Sequence, residues 1–186
     1  MRDQKNKNMI FIIIIYLFYI TKYKEYISIL PTIQIYPSNK DEIKILKKKI
    51  KSRNKEDINF FYLTNETVSN AFMPYVKESK EELDDLAMSQ NNIIYIFKYL
   101  INRRRPWQMT DKINPINIDT AKTPAYPAGH AYQAYLLYNI LSKKYPHLKE
   151  KLEEIAYKCD DCRVKAGLHY PSDGEFSRKL VNIFNK

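Results

Sequence analysis

Prolines and apolar residues at helical spacing divide most of this chain into helices, and no segment of it reads as a convincing strand. After Pro31 and Pro37, the run DEIKILKKKIKSRNK places Ile43, Leu46 and Ile50 on one helical stripe, with seven Lys or Arg between Lys44 and Lys55. A solvated surface helix is the plain reading; contact with an anionic membrane surface is the sharper one. Residues 57–76 are rich in aromatic and apolar side chains and read as a core helix, with a break at Thr64 or Asn65 and an end near Pro74. Glu81 to Arg104 follows as a helix whose acidic first turns and basic last turns suit the helix dipole. Pro115 and Pro124 mark Trp107 to Tyr126 as a long loop. Two more helices cover His130–Lys144 and Leu148–Ala166, and Ser172 can cap a last one ending near Phe184. The expectation is an all-α bundle of about six helices.

At 186 residues the chain supports one domain with a real core, placed at residues 31–186. Residues 1–30 are set apart. There a short basic segment leads into MIFIIIIYLFYI, residues 9–20, twelve apolar or aromatic residues that are short for a membrane span. No small-x-small cleavage site follows, so a signal anchor or monotopic membrane helix is favoured over a cleaved signal or a buried first helix. Location at a membrane or in the secretory pathway is the corresponding expectation. The formal charge of +10 favours an anionic partner, which charge alone leaves open among a phosphorylated small molecule, an anionic lipid head group and a nucleic acid; with the site below, nucleic acid is the one not expected. Cys159 and Cys162 form a single C-x-x-C without a second pair or a preceding strand, and read as small residues one turn apart on a helix.

Three short segments hold the chemistry. In KYLINRRRP, Lys98 and Arg105 stand seven residues apart, a spacing that predicts one helix face, with Pro106 ending the helix. In YPAGH, Pro127 and Gly129 bend the backbone just before His130 opens an apolar helix, whose N-terminus offers free N–H groups to an anion. In RVKAGLHYPSD, Arg163, His169 and Asp173 put a cation, an imidazole and a carboxylate close together. A carboxylate there can orient the imidazole. Trp107, Tyr126 and Ala128 are candidates for the wall of the same pocket. Asp173 is the only acid in the three blocks, so no metal site is expected. A cysteine phosphatase is excluded by spacing, because position 165 is Lys and position 168 Leu where an arginine would have to follow either cysteine by six.

The order K-x6-R-P, P-x-G-H, R-x5-H-x3-D resembles the signature of the phosphatidic acid phosphatase type 2 superfamily, which includes class A acid phosphatases and vanadium-dependent haloperoxidases. The match runs from Lys98 to Asp173. It departs at Ala128, where the family usually has serine, and at Cys162, where serine usually precedes the arginine. The resemblance implies a helical bundle and metal-independent hydrolysis of phosphoric monoesters, lipid phosphates or diphosphates through a phosphohistidine. In that scheme His169 is the nucleophile, Asp173 its partner and His130 the general acid, while Lys98, Arg105, Gly129 and Arg163 grip the phosphate. It implies no cofactor, with vanadate as an inhibitor. Two alternatives stay open: a haloperoxidase with vanadate as cofactor, and a membrane-associated phosphate-binding module weakened by Ala128 and Cys162.

Overall fold

The computed structural model describes residues 25–28, 30–117 and 119–185, and among them there is no strand. The expected apolar segment at residues 9–20 lies outside the described residues, as does most of the 1–30 segment. The helices are α1 (Asn39–Lys51), α2 (Lys55–Leu63), α3 (Ser69–Phe72), α4 (Lys80–Met88), α5 (Asn91–Ile101), α6 (Pro106–Met109), α7 (Gly129–Lys144), α8 (Lys149–Lys165) and α9 (Pro171–Phe184). Short 3₁₀ turns follow α3 and α7.

The core forms around α7. Its Ala131, Tyr132, Ala134, Tyr135, Leu136, Leu137 and Leu141 are all buried. A helix that is apolar on most faces belongs in the interior. It runs back through the Pro146–Leu148 turn into α8, its main packing partner, while α9, α4 and α5 pack on other sides. The outer helices α1 and α2 lie on α8, where Lys165 reaches Asp57 of α2 at 2.8 Å and Lys49 of α1 pairs with Asp161. On α1 the Glu42 and Leu46 stripe is buried and Lys44, Lys48 and Lys51 face outward. Cys159 and Cys162 are buried thiols on α8, and the Cys162 Sγ–H donates to the Cys159 carbonyl at 3.2 Å.

The break expected at Thr64 or Asn65 is present, and a second break, not expected, interrupts the 81–104 helix. Residues 57–76 stop at Thr64, whose hydroxyl bonds back to the Phe60 carbonyl at 2.9 Å and so competes with the helix ladder. The turn after it, Thr64 to Val68, projects toward α8. The 81–104 helix starts from a capping box of Ser79 and Glu82, then breaks at Ser89–Gln90. There the Gln90 amide is held by Tyr132 at 2.6 Å and Asn185 at 2.6 Å, which ties the break to α7 and the end of α9.

A further difference moves a site residue. Asn102 ends α5 in the left-handed region, φ 51°, with its amide donating to the carbonyls of Ile27 and Leu30. Arg105 is therefore extended rather than helical, as the residue before a proline prefers, and Pro106 opens α6 instead of closing a helix. Lys98 and Arg105 do not share a helix face. Similarly, Ser172 is not the cap of α9: Tyr170 holds that place, Pro171 opens the helix, and the Asp173 carboxylate reaches back to the Tyr170 N–H at 2.9 Å.

Where α8 crosses α9, a Cβ at Gly174 would overlap the Asp160 carboxylate, so glycine permits the close approach. Oδ1 of Asp160 is buried without a partner among the described residues, and Tyr135 donates to Oδ2 at 3.3 Å. Burial pushes this carboxyl up to about 7. A folded-state value above the ordinary 3.8 favours the protonated form, so the cost to folding is absent at low pH and complete above about pH 7. Asp160→Asn is expected to raise the unfolding temperature at about pH 8 and to change it little at about pH 4. Equal shifts at both values in thermal melts would refute this account.

Candidate active site

The loop after α5, the N-terminus of α7 and the loop between α8 and α9 meet around a cavity of about 420 Å³. Its wall contains Lys98, Arg105, Gly129, His130 and His169, drawn from all three sequence blocks, with Glu66, Thr120, Thr123 and Gln133 also lining it.

His169 is the best-defined member. Its Nδ1 lies 2.9 Å from Asp173 Oδ2, a carboxylate with no solvent exposure. Burial opposes the Asp173 charge, but Arg103, His169 and the Tyr170 N–H outweigh it and hold the carboxyl down at about 2. The imidazole moves the other way: burial, reinforced by Arg105, pushes it down to about 3 against the pull of Asp173. The ring is thus neutral. Beside a carboxylate the proton belongs on Nδ1, which leaves the Nε2 lone pair facing the cavity. Arg105 Nη1 donates to it at 2.7 Å.

The cations are buried and satisfied by backbone. Arg105 also donates to the carbonyls of Thr123 at 2.8 Å and Leu168 at 3.0 Å, and burial lowers it to about 10, so it stays charged at neutral pH. Lys98 donates to the Pro124 carbonyl at 2.5 Å; burial and then Arg105 push its ammonium well below the usual lysine range. Gly129 opens α7, so its N–H has no partner within that helix. His130 Nε2–H donates to the Asn65 carbonyl at 3.2 Å, and burial followed by Arg163 pushes the ring well below the ordinary histidine value. His130 is neutral here, not the protonated group expected from an unperturbed imidazole.

Arg163 is near His130 but does not line the cavity. Its guanidinium lies over the Phe61 ring at 4.5 Å and donates to Asn65 Oδ1 at 3.1 Å and to the Thr64 carbonyl. The three expected wall residues are also elsewhere. Trp107 packs beside Leu46, Ile113 and Val164 and faces a different cavity with Tyr62. Tyr126 is buried against Phe176, with ring centroids 4.5 Å apart, and against Tyr36. Ala128 is fully buried at the cap of α7, where its carbonyl accepts from Ser177 Oγ at 2.9 Å. The ring of Tyr126 is used in core packing, and that of Trp107 in packing beside α1 and α8. Threonines 120 and 123 supply the wall that this loop was expected to give.

Sequence reasoning missed Arg103, Glu42 and the Thr64–Asn65 turn. Arg103 sits in a run of three arginines, and nothing in RRR singles out its first member. Glu42 and the turn reach the site from 130 and 98 positions away, respectively, from Ser172 and Arg163.

No family model matches the chain, and no curated protein matches it in sequence. Among solved structures it is similar to a transmembrane PAP2-type phosphatidylglycerolphosphate phosphatase from Bacillus subtilis, with 19% identity, 78% of this chain and 85% of that one covered, and a TM-score of 0.53. The fold is that of a PAP2-type phosphatase. PAP2 stands for the phosphatidic acid phosphatase type 2 group that the three blocks resemble, so motif order and backbone point the same way. Among the described residues, no helix is long and apolar enough to cross a membrane.

Proposed function

We propose that this chain is a phosphoric ester hydrolase that works through a phosphohistidine on His169, without a metal. The observation that carries the reading is the Asp173–His169–Arg105 series: a carboxylate on Nδ1, an unprotonated Nε2 that accepts from Arg105, and a guanidinium already at the place where phosphate oxygens would lie. In the proposed reaction Arg105 turns from Nε2 to the phosphate, and Nε2 attacks phosphorus. The P–N bond forms as the P–O bond to the leaving alcohol breaks. Lys98, Arg105 and the Gly129 N–H stabilise the equatorial oxygens, and Arg163 joins them by releasing the Thr64–Asn65 turn. Water then cleaves the P–N bond and regenerates His169.

His130 supplies the proton to the leaving oxygen. In the free protein burial first, and then the positive charge of Arg163, hold it neutral. A bound phosphate dianion cancels that charge and raises the imidazole toward the range where it can act as an acid. The donor set is cationic, which suits an anion and repels a metal ion. Small phosphorylated molecules and lipid phosphates are both candidate substrates, with residues 9–20 as the segment that associates with a membrane.

The test is hydrolysis of an aryl and an alkyl phosphate by the purified full chain. Turnover that vanadate inhibits competitively and that chelators leave intact is expected. Loss of turnover on chelation, restored by a divalent metal, would overturn the mechanism. His130→Ala is expected to lower kcat by about 10²–10⁴-fold on the alkyl ester and far less on the aryl ester, whose leaving group needs little protonation. Equal losses on both would remove His130 from the acid role.

A further inference from the structure

Arg103 belongs to none of the three motif blocks' functional positions, yet its guanidinium is fully buried and every N–H is used. Nη1 donates to Asp173 Oδ1 at 2.7 Å and Ser172 Oγ at 2.8 Å; Nη2 donates to Glu42 Oε2 at 2.6 Å and Asn39 Oδ1 at 2.8 Å; Nε donates to Asn39 Oδ1 at 3.1 Å. The plane of the group lies between two rings, 3.9 Å from the centroid of Tyr36 and 3.7 Å from that of Tyr170. Five directed bonds and two stacked faces leave this guanidinium one position. A buried ion cluster is a poor way to gain stability, since apolar residues of similar size do as well. Its geometry is better explained by what it does to Asp173. One carboxylate oxygen is taken by Arg103, and the other is thereby aimed at His169 Nδ1 and the Tyr170 N–H, both at 2.9 Å.

We propose that Arg103 is a positioning residue: it clamps Asp173 in one rotamer and in its ionised form, and so sets the tautomer and aim of His169. The proposal rests on the reading of His169 as nucleophile given above. Glu42 acts one step further out, by holding Arg103 and, through Oε1, the Ser172 N–H at 2.9 Å. The charged and titratable groups that bear on the pair are Arg103, Glu42 and, from α8, Asp160 on the Asp173 side, and Arg105, Lys98 and His130 on the His169 side.

The experiment compares wild type with Arg103→Lys, Glu42→Gln and the double variant Arg103→Met/Glu42→Gln, which leaves no unpaired Glu42 behind. The first readout is independent of turnover: NMR titration of the His169 ring in the full chain, assigned by its absence from His169→Gln. Wild type is expected to keep the Nδ1–H tautomer and to titrate only at low pH. The double variant is expected to show mixed tautomers and a midpoint raised by at least about one unit, because Asp173 is no longer neutralised by a cation. Glu42→Gln is expected to keep the tautomer, and Arg103→Lys, which preserves charge but not the fork, to fall between. The second readout is kcat/KM against pH. The acid limb of the double variant is expected to move up, with kcat lowered by about 100-fold and KM little changed. A folded double variant with the wild-type tautomer, midpoint and acid limb would overturn the clamp and leave Arg103 a structural tie. If the double variant does not fold, Arg103→Lys decides on the same readouts, and a His169 titration identical to wild type in it would count against the proposal. Absence of turnover in the wild type would end the functional reading, and the NMR arm would still judge the clamp.

Discussion

Replacing His169 with alanine is expected to lower kcat by at least about 10⁴-fold, since the proposed P–N bond then has no nitrogen to form on. The two other basic groups nearest it are already engaged. His130 is neutral but directs its Nε2–H at the Asn65 carbonyl, and Lys98 is committed to the Pro124 carbonyl. The fold should survive, because His169 lies at the edge of the cavity and its removal enlarges a polar space that water can fill. Circular dichroism and a melt within a few degrees of wild type would check this. A direct measurement is also available: label from a γ- or monoester-labelled substrate should stay on denatured wild-type protein in base and leave it in acid, the behaviour of a phosphoramidate, and should be absent from the variant. Retained turnover above about one per cent of wild type would place the nucleophile elsewhere.

Asp173→Asn is expected to be nearly as severe, lowering kcat by about 10³–10⁴-fold while changing KM much less. The amide can donate to Nδ1, which puts the ring proton on Nε2 and removes the attacking lone pair. It also leaves Arg103 with Glu42 as its one carboxylate partner among the described residues, so stability should fall, by up to about 3 kcal/mol. The sign of the pH dependence follows from the direction of the carboxyl's displacement. Because the folded value, about 2, lies below the ordinary 3.8, the ionised group stabilises the fold above about pH 4 and that contribution is lost as pH falls toward 2. Urea unfolding of the two proteins should therefore differ most near neutrality and converge in acid. A gap that widens on acidification would contradict the assignment of a charged Asp173.

The pairings of His169 with Asp173 and of Gly129 with His130 were legible because each is local. His169 and Asp173 are four apart across a short turn into α9, and Gly129 and His130 start one helix, so sequence distance stands in for spatial distance. The long helices α7, α8 and α9 were legible for a related reason: sixteen or so residues with steady apolar content leave the backbone few other choices. What could not be read depends on partners far along the chain. The break at Gln90 is stabilised by Asn185, 95 positions away, and the left-handed Asn102 by carbonyls 72 and 75 positions away. Arg105 was placed on a helix because the pattern of KYLINRRRP continues a helical stripe; only the contacts of Asn102 end it early. Trp107 and Tyr126 flank the phosphate-binding blocks in sequence, which suggests the pocket wall, but their rings pack against α1, α8 and α9 neighbours.

The Arg103 cluster also bears on the order in which the proposed site can assemble. It joins Glu42, Arg103 and Ser172–Asp173 across separations of 61, 70 and 130 positions, so three widely spaced stretches must meet before the carboxylate is fixed. Closing such long loops is entropically costly and slow compared with forming α7 and α8 beside each other. A nascent or partly unfolded chain can thus contain most of its helices and still have no aligned histidine. Under the proposed mechanism an aligned histidine arrives with the last long-range contact, and that contact depends on α1, which does not itself line the cavity.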